Sequence, residues 1–473
     1  MDNRSMTWGY WSYLKAYCKA REPEPYQNCL RKGTRSANFA FSKRTWCTDR
    51  ACTSGISHMG NEALSNPASP TSSADSHEKL LNSETLDSSK HEAPALTRHR
   101  APLHALTGLR FIAATYVILF HTRLRAVLPA HGYVHAGTFM SNGYLAVTLF
   151  FMLSGFILAY NYRGQIETRN QAFRFWEARL ARIWPVYVFS LLCCSFPLSD
   201  IPRFPLALAT LCMVQAWNPF HPEYCELWNF VCWSLSVEAF FYLIFPWLQK
   251  SLEKLRLAYL SLAGLFIVLV GALCNTPFYS FSNRYSGLWF YIPVPLIQLP
   301  TFIVGVILGN LILGSSNTAA TFDSPRGRSL TILRLAAHGL VASCRRIPIL
   351  TWSGFLASLL VFCTATGHTE GLVIPAFAVL LFGLATEDSL LSSFLSTRLL
   401  ILGGEISYSM YLLRTPLQKF VILHPALHNN WIFDYLYIPL AVIPFSLFSY
   451  YCIEGPSRRG LRRIFARLQN RQY

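Results

Sequence analysis

The sequence has few charged residues for its length. Only 14% of its 473 residues are Asp, Glu, Lys or Arg, whereas soluble domains carry about 25%. Hydrophobic residues make up 52%, and the mean hydropathy is +0.29. A chain with so little charge cannot cover its surface with water-binding groups, which excludes a soluble enzyme.

The sequence also lacks the motifs of several common enzyme classes. It has no GxSxG nucleophile elbow, no phosphate-binding P-loop and no HExxH zinc motif. Its 13 cysteines are scattered, without CxxC or paired Cys/His spacing. We interpret them as small hydrophobic residues, and we predict no bound metal and no disulfide framework.

The net charge of +17 comes from 41 Lys and Arg against 24 Asp and Glu. These basic residues form short clusters between apolar segments and do not form one stripe, so we predict no nucleic-acid partner. Such clusters are typical of the cytoplasmic loops of membrane proteins.

The first 100 residues are polar and contain no apolar run, as in the tract SNPASPTSSADS. Such a segment cannot bury enough surface to fold alone, so we predict that residues 1–100 form a disordered cytoplasmic arm. They contain no apolar core of a signal peptide, and we expect the first hydrophobic helix to direct insertion. Translation from Met59 is an alternative start.

Long apolar runs recur from residue 108 onward, each close to the length that spans a bilayer as a helix. The predicted fold class is therefore all-α, a polytopic membrane bundle of about ten transmembrane helices over residues 101–463, followed by a basic cytoplasmic tail, 464–473. The predicted spans are 108–128, 143–162, 183–200, 228–248, 257–274, 289–313, 347–366, 370–386, 399–423 and 432–453.

The apolar piece 205–217 decides the topology. If it does not cross, the basic segments 163–182, 250–256, 326–346 and 458–471 all lie on the side of the N-terminus. We therefore predict that 205–217 is re-entrant or interfacial, that both termini are cytoplasmic, and that the protein lies in a plasma, inner or endomembrane. No internal repeat is evident in the sequence, so the sequence does not indicate an inverted-repeat transporter.

The first span carries two ionisable side chains, Arg110 and His121. Eleven residues correspond to about 20° beyond three full helical turns, so both lie on one helix face about 16 Å apart. Ionisable groups inside a membrane are costly and usually face an interior cavity. An imidazole can move a hydroxyl proton, and a guanidinium can hold an anion.

Arg179 and Arg182 are three residues apart, on neighbouring surface of one helical turn, with Arg174 just upstream. The two arginines offer several hydrogen-bond donors to one polyanion and could bind phosphates. The alternative is an ordinary basic cytoplasmic segment.

Glu238 lies about ten residues into a predicted span, near the middle of the bilayer. A lone carboxylate is costly there without a partner, so we predict that it orients His121 or binds an acceptor. Ser154 and Gly155, on the second span, are typical of close helix packing.

Six segments, in order, resemble the acyltransferase-3 family of membrane O-acyltransferases, which modify polysaccharides and other acceptors. They are LTGLRFIAATYVILFH, LAVTLFFMLSGFILAY, FWEARLARIWPVY, LWNFVCWSLSVEAFFYLIFP, LGGEISYSMYLLRTP and YYCIEGPSRR. One position departs from the family pattern: Arg414 stands where the family usually has a histidine.

The resemblance implies that Arg110 and His121 match the family's basic residue and histidine, that Arg179 and Arg182 match its RxxR motif, and that Glu238 matches its glutamate. It implies an O-acyltransferase with acyl-CoA, most simply acetyl-CoA, as donor.

In the implied reaction, Arg179, Arg182 and Arg110 bind the donor's phosphates from the cytoplasm. His121 acts as general base on a hydroxyl of a carbohydrate or other small acceptor, or takes the acyl group transiently. Acceptor choice is expected in the external segments 129–142 and 275–288.

Two other classes fit the same residues. A proton-coupled transporter could use intramembrane Arg, His and Glu as a proton path. A catalytically silent membrane protein of acyltransferase-like fold is the third class, because fold does not fix function.

Overall fold

The computed structural model describes residues 103–122, 124–196, 201–220, 224, 228–279, 292–320, 348–365, 369–423 and 438–470. The predicted N-terminal arm, 1–100, lies outside these residues. Within them the regular secondary structure is helical, with no β-strand.

The α-helices are numbered in chain order, and each is formed by an apolar or amphipathic segment. They are α1 His104–Phe120, α2 Leu124–Ala130, α3 Val134–Ser141, α4 Ala146–Tyr162, α5 Arg169–Cys194, α6 Phe204–Leu211, α7 Cys232–Glu253, α8 Leu257–Tyr279, α9 Val294–Ala320, α10 Ile349–Thr364, α11 Val373–Thr386, α12 Leu390–Leu395, α13 Arg398–Leu423, α14 Ile438–Ser449 and α15 Gly455–Asn470.

A helix coincides with each of the ten predicted spans. Among the described residues, three helical stretches are long and apolar enough to cross a membrane: Val134–Tyr162, Val294–Gly314 and Ile438–Phe465. Shorter apolar helices include His104–Phe120 and Ile349–Thr364. The all-helical class is thus confirmed for the described part of the chain, while the number of ten crossings stays a prediction.

The structure differs from the predicted boundaries at the first span. The span was expected to run unbroken over 108–128, but α1 ends at Phe120 and α2 begins at Leu124. The Thr122 hydroxyl donates a hydrogen bond of 2.6 Å to the Leu119 carbonyl oxygen, a local bond that competes with continuation of the helix. His121 is therefore the C-cap residue of α1.

The segments around the second and third spans also differ from expectation. The segment 129–142, expected as an external loop, is largely helical because it contains α3. Helix α5 begins at Arg169, where Thr168 and Gln171 form a capping box, so the paired arginines lie on the same helix as the third span. The short α6 has eight residues, about 12 Å of helix, which is far less than a bilayer requires.

Close packing between α4 and α9 depends on glycine. A Cβ atom at Gly305 would clash with the Met152 carbonyl, and one at Gly155 would clash with the Phe302 carbonyl. Small residues allow backbones to approach closely in membranes, where helix association depends on van der Waals contact. Gly155 thus fulfils the packing role expected from its sequence context.

A similar contact joins α1 to α13. A Cβ at Gly404 would clash with the Thr107 backbone carbonyl, and one at Gly403 would meet the Phe111 ring. These contacts fix α1, which carries Arg110, against α13.

Gly305→Ala is expected to destabilise the protein by about 1–3 kcal/mol, because the added methyl overpacks the contact between α4 and α9. Thermal melting in detergent measures this change. Gly460→Ala is the matched control, since no atom lies within 4 Å of a Cβ built at Gly460 in α15. Equal melting temperatures for both variants would contradict the packing argument.

Candidate functional site

Glu238 on α7 anchors the first of two polar groups in the bundle. Its Oε1 accepts a hydrogen bond of 2.9 Å from the Ser154 hydroxyl of α4 and another from the Tyr242 hydroxyl one turn further along α7. Two donors on one oxygen hold the carboxylate in a defined orientation.

Arg110 of α1 lies within electrostatic range of Glu238 and also of Arg182 on α5. It brings a positive charge to the carboxylate and shares the site with a second guanidinium. The structure therefore brings together three of the predicted site residues, Arg110, Arg182 and Glu238, from three different helices.

Arg179 lies one turn before Arg182 on α5. Its Nη2 donates a hydrogen bond of 3.0 Å to the Tyr162 hydroxyl, and its guanidinium lies 5.4 Å from the centre of the Tyr162 ring and 5.8 Å from that of Phe175. Its buried Nε has no hydrogen-bond partner among the described residues. The guanidinium is thus held in place by the Tyr162 hydroxyl and by two aromatic rings.

A further arginine, Arg458 of α15, joins this group. It lies within electrostatic range of Arg179, Arg182 and Glu454. We define the arginine cluster as Arg110, Arg179, Arg182 and Arg458. Four cations meet two carboxylates, Glu238 and Glu454, so the formal charge of these six side chains is positive, as a site for a polyanion requires.

Glu454 ends a π-helical turn, Tyr450–Glu454, between α14 and α15. It is 5% exposed, and it lies within electrostatic range of Arg182, Arg458 and Arg110. Such turns occur frequently at functional sites. Sequence reasoning assigned no role to Glu454, although it lies in YYCIEGPSRR, one of the six segments that resemble the family, and directly follows the last apolar run.

His121 belongs to a second polar group. Its ring lies edge-on to Phe230, with 5.0 Å between ring centroids and an interplanar angle of 76°. The Arg414 guanidinium lies 4.8 Å from the centre of the same Phe230 ring, which is a cation–π distance. His121 and Arg414 thus contact one aromatic ring, and the residue that departs from the family pattern lies close to the predicted base.

Arg414 is 2% exposed. Its Nη1 donates a hydrogen bond of 2.8 Å to Gln418, one turn further along α13. The guanidinium is therefore a fixed, buried cation beside Phe230.

The turn before α7 places Phe230 between these two side chains. Trp228 has a φ of +66°, a left-handed conformation that is uncommon for a bulky residue. Its indole Nε1 donates a hydrogen bond of 3.1 Å to the Ser195 hydroxyl. Asn229 donates to the Leu412 carbonyl of α13 at 3.2 Å. Because these bonds tie the turn to its neighbours, they hold the strained residue in place.

The two polar groups lie at different levels of the bundle. Arg110 and His121 are about 16 Å apart along α1. Phe230, a neighbour of His121, lies in the turn before α7, and Glu238 lies six residues, or about 9 Å of helix, beyond Cys232, where α7 begins. The Glu238 carboxylate accepts its hydrogen bonds from Ser154 and Tyr242, and neither of these residues belongs to the His121 group. The predicted alternative in which Glu238 orients His121 gains no support from these contacts.

The described residues contain no group of three His, Cys, Asp or Glu side chains that could bind a metal ion.

Comparison with known proteins agrees with the motifs. A family model for the acyltransferase domain of type 3 matches residues 103–453. The acyltransferase MdmB of Streptomyces mycarofaciens is 27% identical over 304 residues, which cover 57% of this chain and 72% of MdmB.

The O-acetyltransferase OatA of Staphylococcus aureus is 25% identical over 398 residues, covering 78% of this chain and 59% of OatA. The regulator of hypoxia-inducible factor 1 of Caenorhabditis elegans is 23% identical over 270 residues, covering 46% of this chain and 53% of that protein. No solved structure matches the chain significantly.

The match to the family model covers three of the four arginine-cluster residues, all but Arg458, and it also includes His121, Glu238 and Arg414. The similarity to MdmB and OatA, both named as acyltransferases, supports O-acyltransferase activity. The chain belongs to the acyltransferase-3 family of membrane acyltransferases.

Proposed function

We propose that the protein transfers an acyl group, most simply acetyl, from acyl-CoA to a hydroxyl group of a carbohydrate or other small acceptor. The observation that carries this proposal is the arginine cluster, of which Arg110, Arg179 and Arg182 lie within the domain matched to an acyltransferase family and Arg458 follows directly after it. A CoA molecule carries several phosphate charges, and guanidinium groups bind phosphates through multiple hydrogen bonds.

The donor is proposed to bind with its phosphates on Arg179, Arg182 and Arg110, the residues expected from the sequence, and on Arg458. Arg179 contributes a guanidinium that the Tyr162 hydroxyl and the Tyr162 and Phe175 rings hold in place. The predicted topology places this end of the bundle at the cytoplasm, where acyl-CoA is found.

The thioester is proposed to extend from the arginine cluster toward His121. The two polar groups are about 16 Å apart along α1, a distance that the extended pantetheine arm of CoA can bridge. Donor and acceptor then approach from opposite membrane faces, so the acyl group crosses the bilayer as it is transferred.

His121 is proposed to act as the general base. The imidazole takes the proton of the acceptor hydroxyl, the oxygen attacks the thioester carbonyl, the carbon–sulfur bond breaks, and the CoA thiolate receives the proton from the imidazolium. A transient acyl-imidazole, with CoA leaving before the acceptor attacks, is the alternative order.

Glu238 is proposed to hold Arg110 in the site. Its carboxylate is fixed by Ser154 and Tyr242 and lies in range of the Arg110 guanidinium. The sequence also predicts that Glu238 binds the acceptor. Activity assays with varied acceptors test this second role.

His121→Gln is expected to reduce thiol release from acetyl-CoA by about 10²–10⁴-fold, because the variant removes the group that moves the proton. The assay measures free CoA thiol with purified protein, acetyl-CoA and a panel of hydroxylated acceptors. His104→Gln is the matched control, since His104 is an exposed histidine at the first position of α1.

Thiol release that persists in His121→Gln would exclude His121 as the base. Wild-type protein that folds and consumes no acyl-CoA, yet moves a solute across vesicles, would favour the proton-coupled transporter.

Arg182→Gln is expected to raise the KM for acetyl-CoA about 10–100-fold, because it removes charge-assisted hydrogen bonds worth about 1.5–3 kcal/mol. Initial rates at varied acetyl-CoA measure the KM. Arg459→Gln is the control, because Arg459 is exposed and its Nε donates to the Gly455 carbonyl of its own helix. An equal KM for the two variants would refute donor binding at the arginine cluster.

A further inference from the structure

Helix α15, the last helix of the described chain, carries charge of one sign only. Its 16 residues include five arginines and no Asp or Glu. It continues α14 and the π-helical turn without a break in the helix. The proposed donor site uses only one of these arginines, Arg458, so the other four need an explanation of their own.

The arginines beyond Arg458 lie on one side of α15. Arg462, Arg463 and Arg467 are exposed. At 100° per residue they lie within a sector about 140° wide. Arg459 lies in the same sector, and its Nε donates a hydrogen bond to a carbonyl of its own helix. One side of α15 therefore presents a row of cations outward.

The opposite side of α15 is apolar. Leu461, Ile464 and Phe465 lie within a sector about 100° wide, facing away from the arginines. Ile464 is 50% exposed, and the other two are partly exposed. A helix with one cationic and one apolar side is suited to the boundary between lipid headgroups and acyl chains.

The helix before α15 places it beside lipid. Phe448 and Tyr451 are more than half exposed, so this stretch lies at the edge of the bundle. The stretch Ile438–Phe465 is long and apolar enough to cross a membrane. Because 20 helical residues span about 30 Å, a crossing that begins at Ile438 ends near residue 457. Arg462 follows by five residues, about 8 Å, which is the depth of the headgroup region.

The two sides of α15 together define the chemistry of the partner. Headgroup phosphates supply the negative charge that complements the arginines, and acyl chains cover the apolar side. A nucleic acid or an acidic peptide would match the charge and leave the apolar side uncovered. Basic clusters beside a membrane-spanning helix attract anionic lipids in the same way.

We propose that α15 is a binding surface for anionic phospholipids, in which Arg462, Arg463 and Arg467 contact headgroup phosphates. The apolar side of the helix contacts the acyl chains of the same leaflet. This inference goes beyond acyl transfer and does not depend on it, so the two stand or fall separately.

The test measures which lipids the purified full chain retains. The protein is incubated in micelles that contain equal amounts of phosphatidylglycerol and phosphatidylcholine, re-purified, and analysed for bound lipid by mass spectrometry. Wild-type protein is expected to retain an excess of phosphatidylglycerol. The triple variant Arg462→Gln, Arg463→Gln and Arg467→Gln is expected to reduce this excess at least about fivefold, because each arginine near an anionic surface contributes about that factor.

Two further variants separate this surface from a general effect of charge. The first removes three exposed cations from other segments and is expected to keep the excess of phosphatidylglycerol; it combines Lys254→Gln, Arg256→Gln and Arg398→Gln. The second replaces the three arginines of α15 by lysine. It is also expected to keep the excess, since a lysine ammonium binds phosphate as a point charge.

Two conditions applied to wild-type protein test the partner without any variant, so a variant that does not fold leaves the inference testable. The excess of phosphatidylglycerol is expected to disappear in about 1 M NaCl, because salt screens exposed charges. Soluble glycerol phosphate, which carries the phosphate without acyl chains, is expected not to displace the bound lipid.

The inference is overturned by an unchanged excess in the glutamine variant of α15, or by an equal loss in the control at the other segments. It is also overturned if the lysine variant loses the excess or if salt has no effect on it. Full displacement by glycerol phosphate would assign the surface to a free phosphate and so exclude the lipid.

Discussion

Repulsion among arginines is the constraint on which the rest of this site depends. Four guanidiniums from α1, α5 and α15 share one region of a helical bundle that is mostly apolar. Charges in such surroundings persist only with counter-charges and hydrogen bonds. Glu238 and Glu454 supply the negative charge, and Tyr162, Phe175 and Ser154 supply contacts that fix the side chains.

Helix packing makes this convergence possible. Glycines allow α4 to lie directly on α9 and α1 directly on α13, so Ser154 and Arg110 reach the same region from rigid elements. The same helix α1 carries His121 at its other end. One helix therefore fixes the separation of the two polar groups, which is the length that the proposed donor would span.

Much of the fold could be predicted from hydropathy, since a helix lies at each expected span. The end of α1 could not, because the apolar run continues past it and only the structure shows the local hydrogen bond from the Thr122 hydroxyl to the Leu119 carbonyl there. Charge patterning likewise indicated Arg110, Arg182 and Glu238 as site residues. It did not indicate that Glu238 pairs with Ser154, 84 residues away in sequence, since that contact depends on how α4 and α7 pack.

Glu454 shows most clearly where prediction from sequence ends. Its carboxylate follows an apolar run by one residue and resembles an ordinary interfacial charge. Only the packing of α1, α5, α13 and α15 around the π-helical turn gives it three arginine neighbours. Arg414 is similar, because its position beside Phe230 and His121 depends on the strained turn at Trp228.

The most direct test of this account follows a labelled acetyl group from acetyl-CoA in oriented proteoliposomes that also contain a hydroxylated acceptor. Mass spectrometry of the acceptor and thiol analysis of the donor are carried out on the same sample. The account predicts one labelled ester for each CoA released, with donor supplied at the face of the arginine cluster. Folded protein that leaves the thioester intact, with donor supplied at either face, would contradict it.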